Sequence, residues 1–283
     1  MHWPGKSDAL WYLSRPRNRY YALRMASGPA TYTAILLAGS RPGRDAFAES
    51  YGVDMKALIP VGGEPMVQRP LRALLDARQV GRIIVLSQSP EQIAQVLPGD
   101  ARIEFRTSSG TIAATMLELM DDGSVQWPLL VTTADHALLN PATVEEFCSG
   151  AAGNDLAVGV VERRNLMRRL PQSKRTWLNF RGGAYTGANL FALASPKVRP
   201  AIELWRSVEQ DRKKGWRLVA LLGPLVLAGA ALKLLTIDAV LDRLGGKLGL
   251  KIRALRLSNP LAGVDVDKRA DHALAEAIIA GRA

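Results

Sequence analysis

The chain has one cysteine, Cys148, in 283 residues. That excludes a disulfide framework and a cysteine-built zinc site, and a reducing cytoplasm is the expected setting. Histidine is scarce too: His2, His136 and His272 are the whole supply, and none stands at metal-ligand spacing from another. No helix-turn-helix, zinc-finger or RNP pattern occurs, so nucleic acid is not an expected partner. No apolar run reaches the roughly 20 residues that span a bilayer. The charge-free apolar run at residues 218–232 has Gly223, Pro224 and Gly229 inside it and reads as a buried helix pair. A competing reading is peripheral docking of residues 212–233 on anionic lipid at the inner face of the membrane, because Arg212, Lys213, Lys214 and Arg217 precede the run and Lys233 follows it.

What is present reads as a globular core. Apolar residues make up 48% and charged residues 22%, enough for one large α/β domain or two small ones. The formal net charge of +11 points to an anionic partner. Much of it sits in two segments: residues 1–24 carry five basic side chains against Asp8, and residues 162–181 carry seven against Glu162. Phosphate-bearing small molecules suit such clustering. Residues 1–24 lack the apolar core of a signal peptide. Residues 1–29 are expected to be a loose basic extension, or the product of a start codon upstream of Met25, with a membrane-touching aromatic arm as the alternative.

Apolar runs at 33–37, 82–87 and 127–133 read as buried strands. Residues 66–79 have a helical period, with Gly81 as its stop. Helices are also expected at 91–97 and at 110–120, the latter capped by the hydroxyls of Thr107-Ser-Ser, and Asn140-Pro141 starts another. Further strands are expected at 101–106, 156–161, 176–180, 189–192 and 252–257, a turn at Arg181-Gly182-Gly183, and a closing helix at 268–280. This alternation predicts a three-layer α/β/α, Rossmann-like fold with a mostly parallel sheet, whose ligands sit outside the carboxyl ends of the strands. No repeat or low-complexity linker appears, so residues 30–283 are expected to form a single domain with a helical insertion at about 195–248.

The loop Leu37-Ala-Gly-Ser-Arg-Pro-Gly-Arg44 is neither a P-loop nor a dinucleotide fingerprint. It is followed by Lys56 and then Pro60-Val-Gly-Gly-Glu-Pro-Met66. This opening resembles nucleotidyltransferases of the glycosyltransferase-A (GT-A) fold type, most closely the molybdenum-cofactor guanylyltransferase-like (MobA-like) NTP transferases. Four later pieces are similar to the family's in the same order: Ser109-Gly-Thr-Ile-Ala-Ala114, Thr133-Ala-Asp-His-Ala-Leu-Leu139, Tyr185-Thr-Gly-Ala-Asn-Leu-Phe191 and Gly263-Val-Asp-Val-Asp-Lys-Arg-Ala-Asp271. Ser40 replaces a usual glycine, and His136-Ala137 departs from the usual pair after the acidic residue, nearer to members that activate polyol phosphates.

The resemblance implies transfer of a nucleoside monophosphate from an NTP to a small anionic acceptor, with Mg²⁺. Leu37, Ala38, Gly39, Ser40, Arg41 and Gly43, together with Ser109, Gly110 and Thr111, would bind the nucleotide. Arg44 and Lys56 would act on the phosphates, and Asp135 and Asp265 would hold the metal. Arg181, Gly187 and Asn189, with the basic 163–175 segment, would face the acceptor. Asp267 reads more readily as a helix N-cap than as a second ligand. His136 and Cys148 read as packed residues. A nucleotide-sugar glycosyltransferase is disfavoured because Asp135 stands alone where such enzymes carry Asp-x-Asp. A membrane-docked nucleotide-binding protein with little catalysis is the rival from another class.

Overall fold

The computed structural model describes residues 31–39, 43–108, 110–210 and 234–282. Strand β1 (Tyr32–Leu37) leads through helix α1 (Ala46–Glu49), a 3-10 turn (Lys56–Leu58), strands β2 (Pro60–Val61) and β3 (Glu64–Pro65) and helix α2 (Gln68–Asp76) to strand β4 (Val80–Ser87). Next come α3 (Pro90–Val96), β5 (Ile103–Thr107), α4 (Ile112–Asp121), β6 (Leu129–Thr133), α5 (Pro141–Ala151), β7 (Leu156–Glu162) and α6 (Arg163–Arg169). The described chain then runs through β8 (Leu178–Phe180), β9 (Gly183–Leu193), α7 (Arg199–Gln210), α8 (Ile237–Leu248), β10 (Ile252–Arg256) and α9 (Arg269–Ile279). The expectations for residues 1–29 and for the 212–233 run lie outside the described residues. Among the described residues no helix is long and apolar enough to cross a membrane.

The main sheet has the order β10-β7-β9-β6-β1-β4-β5, with β8 beside β9. Pairs β1/β4, β1/β6, β4/β5 and β10/β7 are parallel, and β9 runs antiparallel to β6, β7 and β8. The carboxyl ends of β1, β4, β5, β6, β7 and β10 therefore share one edge with the start of β9. Both faces are covered. Ala34 and Leu36 of β1, with Ile83 and Val85 of β4, join one core with α2, α5 and α9. The intervening Ile35, Ile84 and Leu86 join another with α4 and α7. This two-residue alternation, apolar on both sides, produces the three-layer α/β fold that was expected. Phe147 of α5 is fully buried, and truncating such a residue to alanine costs about 3–5 kcal/mol.

Several local expectations need correction. The helix expected at 66–79 stops at Asp76, because the N–H of Arg78 donates to Glu145 Oε1 at 3.0 Å while its guanidinium pairs with the same carboxylate. Gly81 consequently lies inside β4 and stops nothing. The cap of α4 is Thr111, whose hydroxyl accepts from the Ala114 N–H, and Ser108 instead bonds the Thr115 hydroxyl. The strand expected at 189–192 spans Gly183–Leu193, joined to β8 by a two-residue turn in which Gly182 has φ 90°. Within the basic 162–181 segment, residues 163–169 form helix α6.

Candidate active site

Lys56 sits in the 3-10 turn that precedes the β2/β3 hairpin. Gly62 and Gly63 form the hairpin's two-residue turn with φ 65° and 79°, a left-handed pair that glycine adopts at little cost. Helix α9 clamps this turn: Glu276 accepts from the Gly62 N–H at 2.7 Å, and His272 Nε2 meets the Pro60 carbonyl at 2.6 Å. Lys56 is thereby presented to the edge where β6 and β10 end.

There its ammonium donates to Asp135 Oδ2 at 2.6 Å and to Asp267 Oδ1. Asp135, two residues past β6, is further fixed by the Thr133 hydroxyl, which donates to its Oδ1 at 2.5 Å. The Lys56 side chain is 21% exposed. Burial pulls its pKa down, but the charge and hydrogen bond of Asp135 and then those of Asp267 together outweigh it and hold the pKa above the ordinary lysine value. Burial raises the Asp267 carboxyl, and Lys56 more than offsets that, leaving it below the usual range. Asp265 moves the other way: burial first and the Asp267 charge second push it up against the pull of Arg175.

Sequence reasoning thus placed Lys56, Asp135 and Asp265 in one neighbourhood, and the structure joins the first two directly. It also corrects two assignments. Asp267 is not the cap of α9; that position belongs to Lys268, without a side-chain cap bond, and Asp267 instead binds Lys56. Arg175 does not project toward an acceptor: its guanidinium is buried against Asp265 and Asp271. Nothing local in the sequence paired these acids with Arg175.

Of the residues expected to bind the nucleotide, the described ones end or follow strands that finish at this edge. Leu37 ends β1, and the Ala38 N–H donates to Leu86 O at 2.8 Å. A Cβ on Gly39 would stand 2.8 Å from the side-chain amide oxygen of Gln88, which would have to move aside. Gly43 has φ 102°. Arg44 is 88% exposed and bound to Glu49 at 2.5 Å; no contact joins it to Lys56. Gly110 and Thr111 stand at the start of α4 beyond β5. Ser40, Arg41 and Ser109 lie outside the described residues. On the other side, Arg181 is exposed in the β8/β9 turn and Gly187 is exposed in β9. Asn189 has φ 47° beside an irregularity in the β7/β9 pairing. Non-glycine residues rarely adopt that conformation, and it favours sites under functional constraint.

Among the described residues no three or more His, Cys, Asp or Glu side chains cluster closely enough to hold a metal ion. Mg²⁺ does not need three, since it takes one or two carboxylates and completes its shell with water and phosphate oxygens. Asp135 and Asp267 already share one cation, Lys56, and both offer hard oxygen donors, so the residues fit such an ion. His136 is buried, its pKa pushed down to about 4 by burial, and it stays neutral beside this cluster.

A comparison with curated proteins gives no match. The family model for the MobA-like NTP transferase domain matches residues 34–225. Among solved structures, a hypothetical transferase from Thermus thermophilus is 31% identical with a TM-score of 0.73, over 86% of this chain and 99% of that one. Two others share the fold. They are 4-diphosphocytidyl-2C-methyl-D-erythritol synthase from Anaerococcus prevotii (11% identity, TM-score 0.57, 89% and 96% covered) and a CMP:2-keto-3-deoxy-manno-octonic acid synthetase complexed with CTP (12%, 0.53, 90% and 100%). A family model covering well over half the chain, on a fold whose sheet edge carries this lysine and these carboxylates, places the chain in the MobA-like NTP transferase family, whose members are NTP-dependent nucleotidyltransferases.

Proposed function

We propose that this protein transfers a nucleoside monophosphate from an NTP to a phosphorylated or similarly anionic small acceptor, such as a cofactor precursor, a sugar phosphate or a polyol phosphate, with release of pyrophosphate. The supporting observation is the Lys56 ammonium held between Asp135 and Asp267 at the carboxyl edge of the sheet.

In this reaction an acceptor oxygen attacks the α-phosphorus and the bond from that phosphorus to the bridging oxygen breaks, with pyrophosphate carrying away the electron pair. Two anions must meet, so the protein's task is positioning and charge compensation. Lys56, kept protonated by its carboxylate neighbours, opposes the charge that builds on the α-phosphate oxygens. Gly39 and Gly43 let the backbone approach the base and phosphates, Arg41 and Arg44 bind phosphate oxygens, and the first N–H groups of α4 beyond Gly110 face the nucleotide. Arg181, Gly187 and Asn189 serve the acceptor. Asp135 and Asp265 would hold Mg²⁺, with water and phosphate oxygens completing its shell, and when bound it would supply positive charge to the phosphate oxygens.

The test is a pyrophosphate-release screen of four NTPs against sugar, polyol and cofactor-precursor phosphates, with NTP binding measured in parallel. One productive pair is expected. No release with any pair, together with no NTP binding, refutes the proposal.

A further inference from the structure

Arg175 belongs to the strongly basic 162–181 segment, yet its side chain is only 8% exposed. Its Nη1 binds Asp265 Oδ1, Nη1 and Nη2 donate to the Asp265 carbonyl at 3.3 and 3.2 Å, and Nη2 donates to Asp271 Oδ1 at 3.1 Å. Asp271, itself buried in the first turn of α9, accepts from the Asp267 N–H through its other oxygen at 3.4 Å. The Val266 N–H donates to the Asp135 carbonyl at 3.0 Å. All three residues of the 265–267 loop are therefore held, and a single guanidinium supplies the grip on Asp265.

Such a triad is a poor source of stability. Burying charges costs about as much as their attraction returns, and Arg175 Nε is buried without a partner, which adds a desolvation penalty. Placement is the better account. A planar fork that meets a carboxylate, a carbonyl and a second carboxylate together fixes an orientation that one point charge cannot.

We propose that Arg175 is a positioning residue, anchored by Asp271, that orients Asp265 and the 265–267 loop for the divalent cation. This rests on the metal role given to those carboxylates above. Mn²⁺ binding to the full chain, followed by electron paramagnetic resonance with and without a non-hydrolysable NTP analogue, tests it independently of turnover. Arg175→Met should weaken Mn²⁺ binding by about 10–100-fold. Arg175→Lys should be impaired to a smaller degree, and Asp271→Asn should weaken binding in the same direction. Urea midpoints are measured alongside, and the Lys and Asn variants carry the test if Arg175→Met does not fold. Unchanged Mn²⁺ affinity at a lowered midpoint means that Arg175 only braces the fold, and tighter binding means that it competes for the carboxylate; either overturns the proposal. A wild-type chain that binds no Mn²⁺ in either condition overturns the metal assignment itself, whereas binding that is equal in wild type and variants overturns this inference alone.

Discussion

The main-chain N–H of Val266 donates to the carbonyl of Asp135 across 3.0 Å, locking the loop after β6 to the loop before α9. Because Val266 lies between Asp265 and Asp267, that one backbone bond brings two acidic side chains to the side of a third. Lys56 then reaches Asp135 and Asp267 together, and the consequences can be measured.

Lys56→Ala should lower turnover by about 10²–10³-fold, the usual loss when one preorganised donor to developing charge is removed. NTP affinity should change far less. Pyrophosphate-release kinetics beside equilibrium nucleotide binding separate the two, and unchanged turnover would mean that Lys56 has another role.

Asp267→Asn distinguishes two roles cleanly. Asparagine caps helices as well as aspartate does, so a capping role predicts no change. A charge partner of Lys56 near the metal predicts a loss of at least about tenfold in turnover and a higher Mg²⁺ concentration for half-maximal rate. A Mg²⁺ titration of both proteins gives the answer.

Gly62→Ala should lower stability by about 1–2 kcal/mol, since the residue sits at φ 65° and a Cβ would lie 3.0 Å from Ile279 Cγ2. The urea midpoint reports this. Turnover should fall too, because the same turn presents Lys56; a variant with an unchanged midpoint would count against the clamp by α9.

Alkaline pH should destabilise the fold from about pH 9 upward. Burial pushes the Cys148 thiol up to about 12, and burial with the Cys148 charge raises Tyr32 to about 12. Both are acids whose native pKa exceeds the unfolded value. Above pH 9 the unfolded chain loses a thiol proton that the native chain keeps, so stability falls as pH rises. Lys56 acts in the same direction but later: its raised pKa keeps its stabilisation intact up to the unfolded lysine value, and the loss begins only above that. Urea titrations between about pH 8.5 and 9.5, below the ordinary tyrosine value of 10.0, report mainly the thiol, and Cys148→Ala should flatten the slope there by up to about 1 kcal/mol per pH unit.

Much of this was legible before any coordinates. The apolar run ending at Leu37, the Asn140-Pro141 start and the Gly62-Gly63 turn each carry their geometry in neighbouring residues, because strand period, helix cap and left-handed turn are decided within a few positions. The errors arose where a distant partner intervened. Glu145 takes the Arg78 N–H and ends α2 early. The extent of β9 depends on two neighbouring strands already being in place.

The alternation of strands and helices, the glycine-lined loop, the lone lysine and the spaced aspartates were determined by the sequence itself, since side-chain period and turn chemistry are local properties. Which charges meet was decided by the tertiary structure alone. Lys56 lies 79 residues from Asp135 and 211 from Asp267, and Arg175 lies 90 from Asp265. Only the order in which strands enter the sheet brings such positions to one edge, and no local pattern distinguishes a lysine that will find two carboxylates there from one left in solvent.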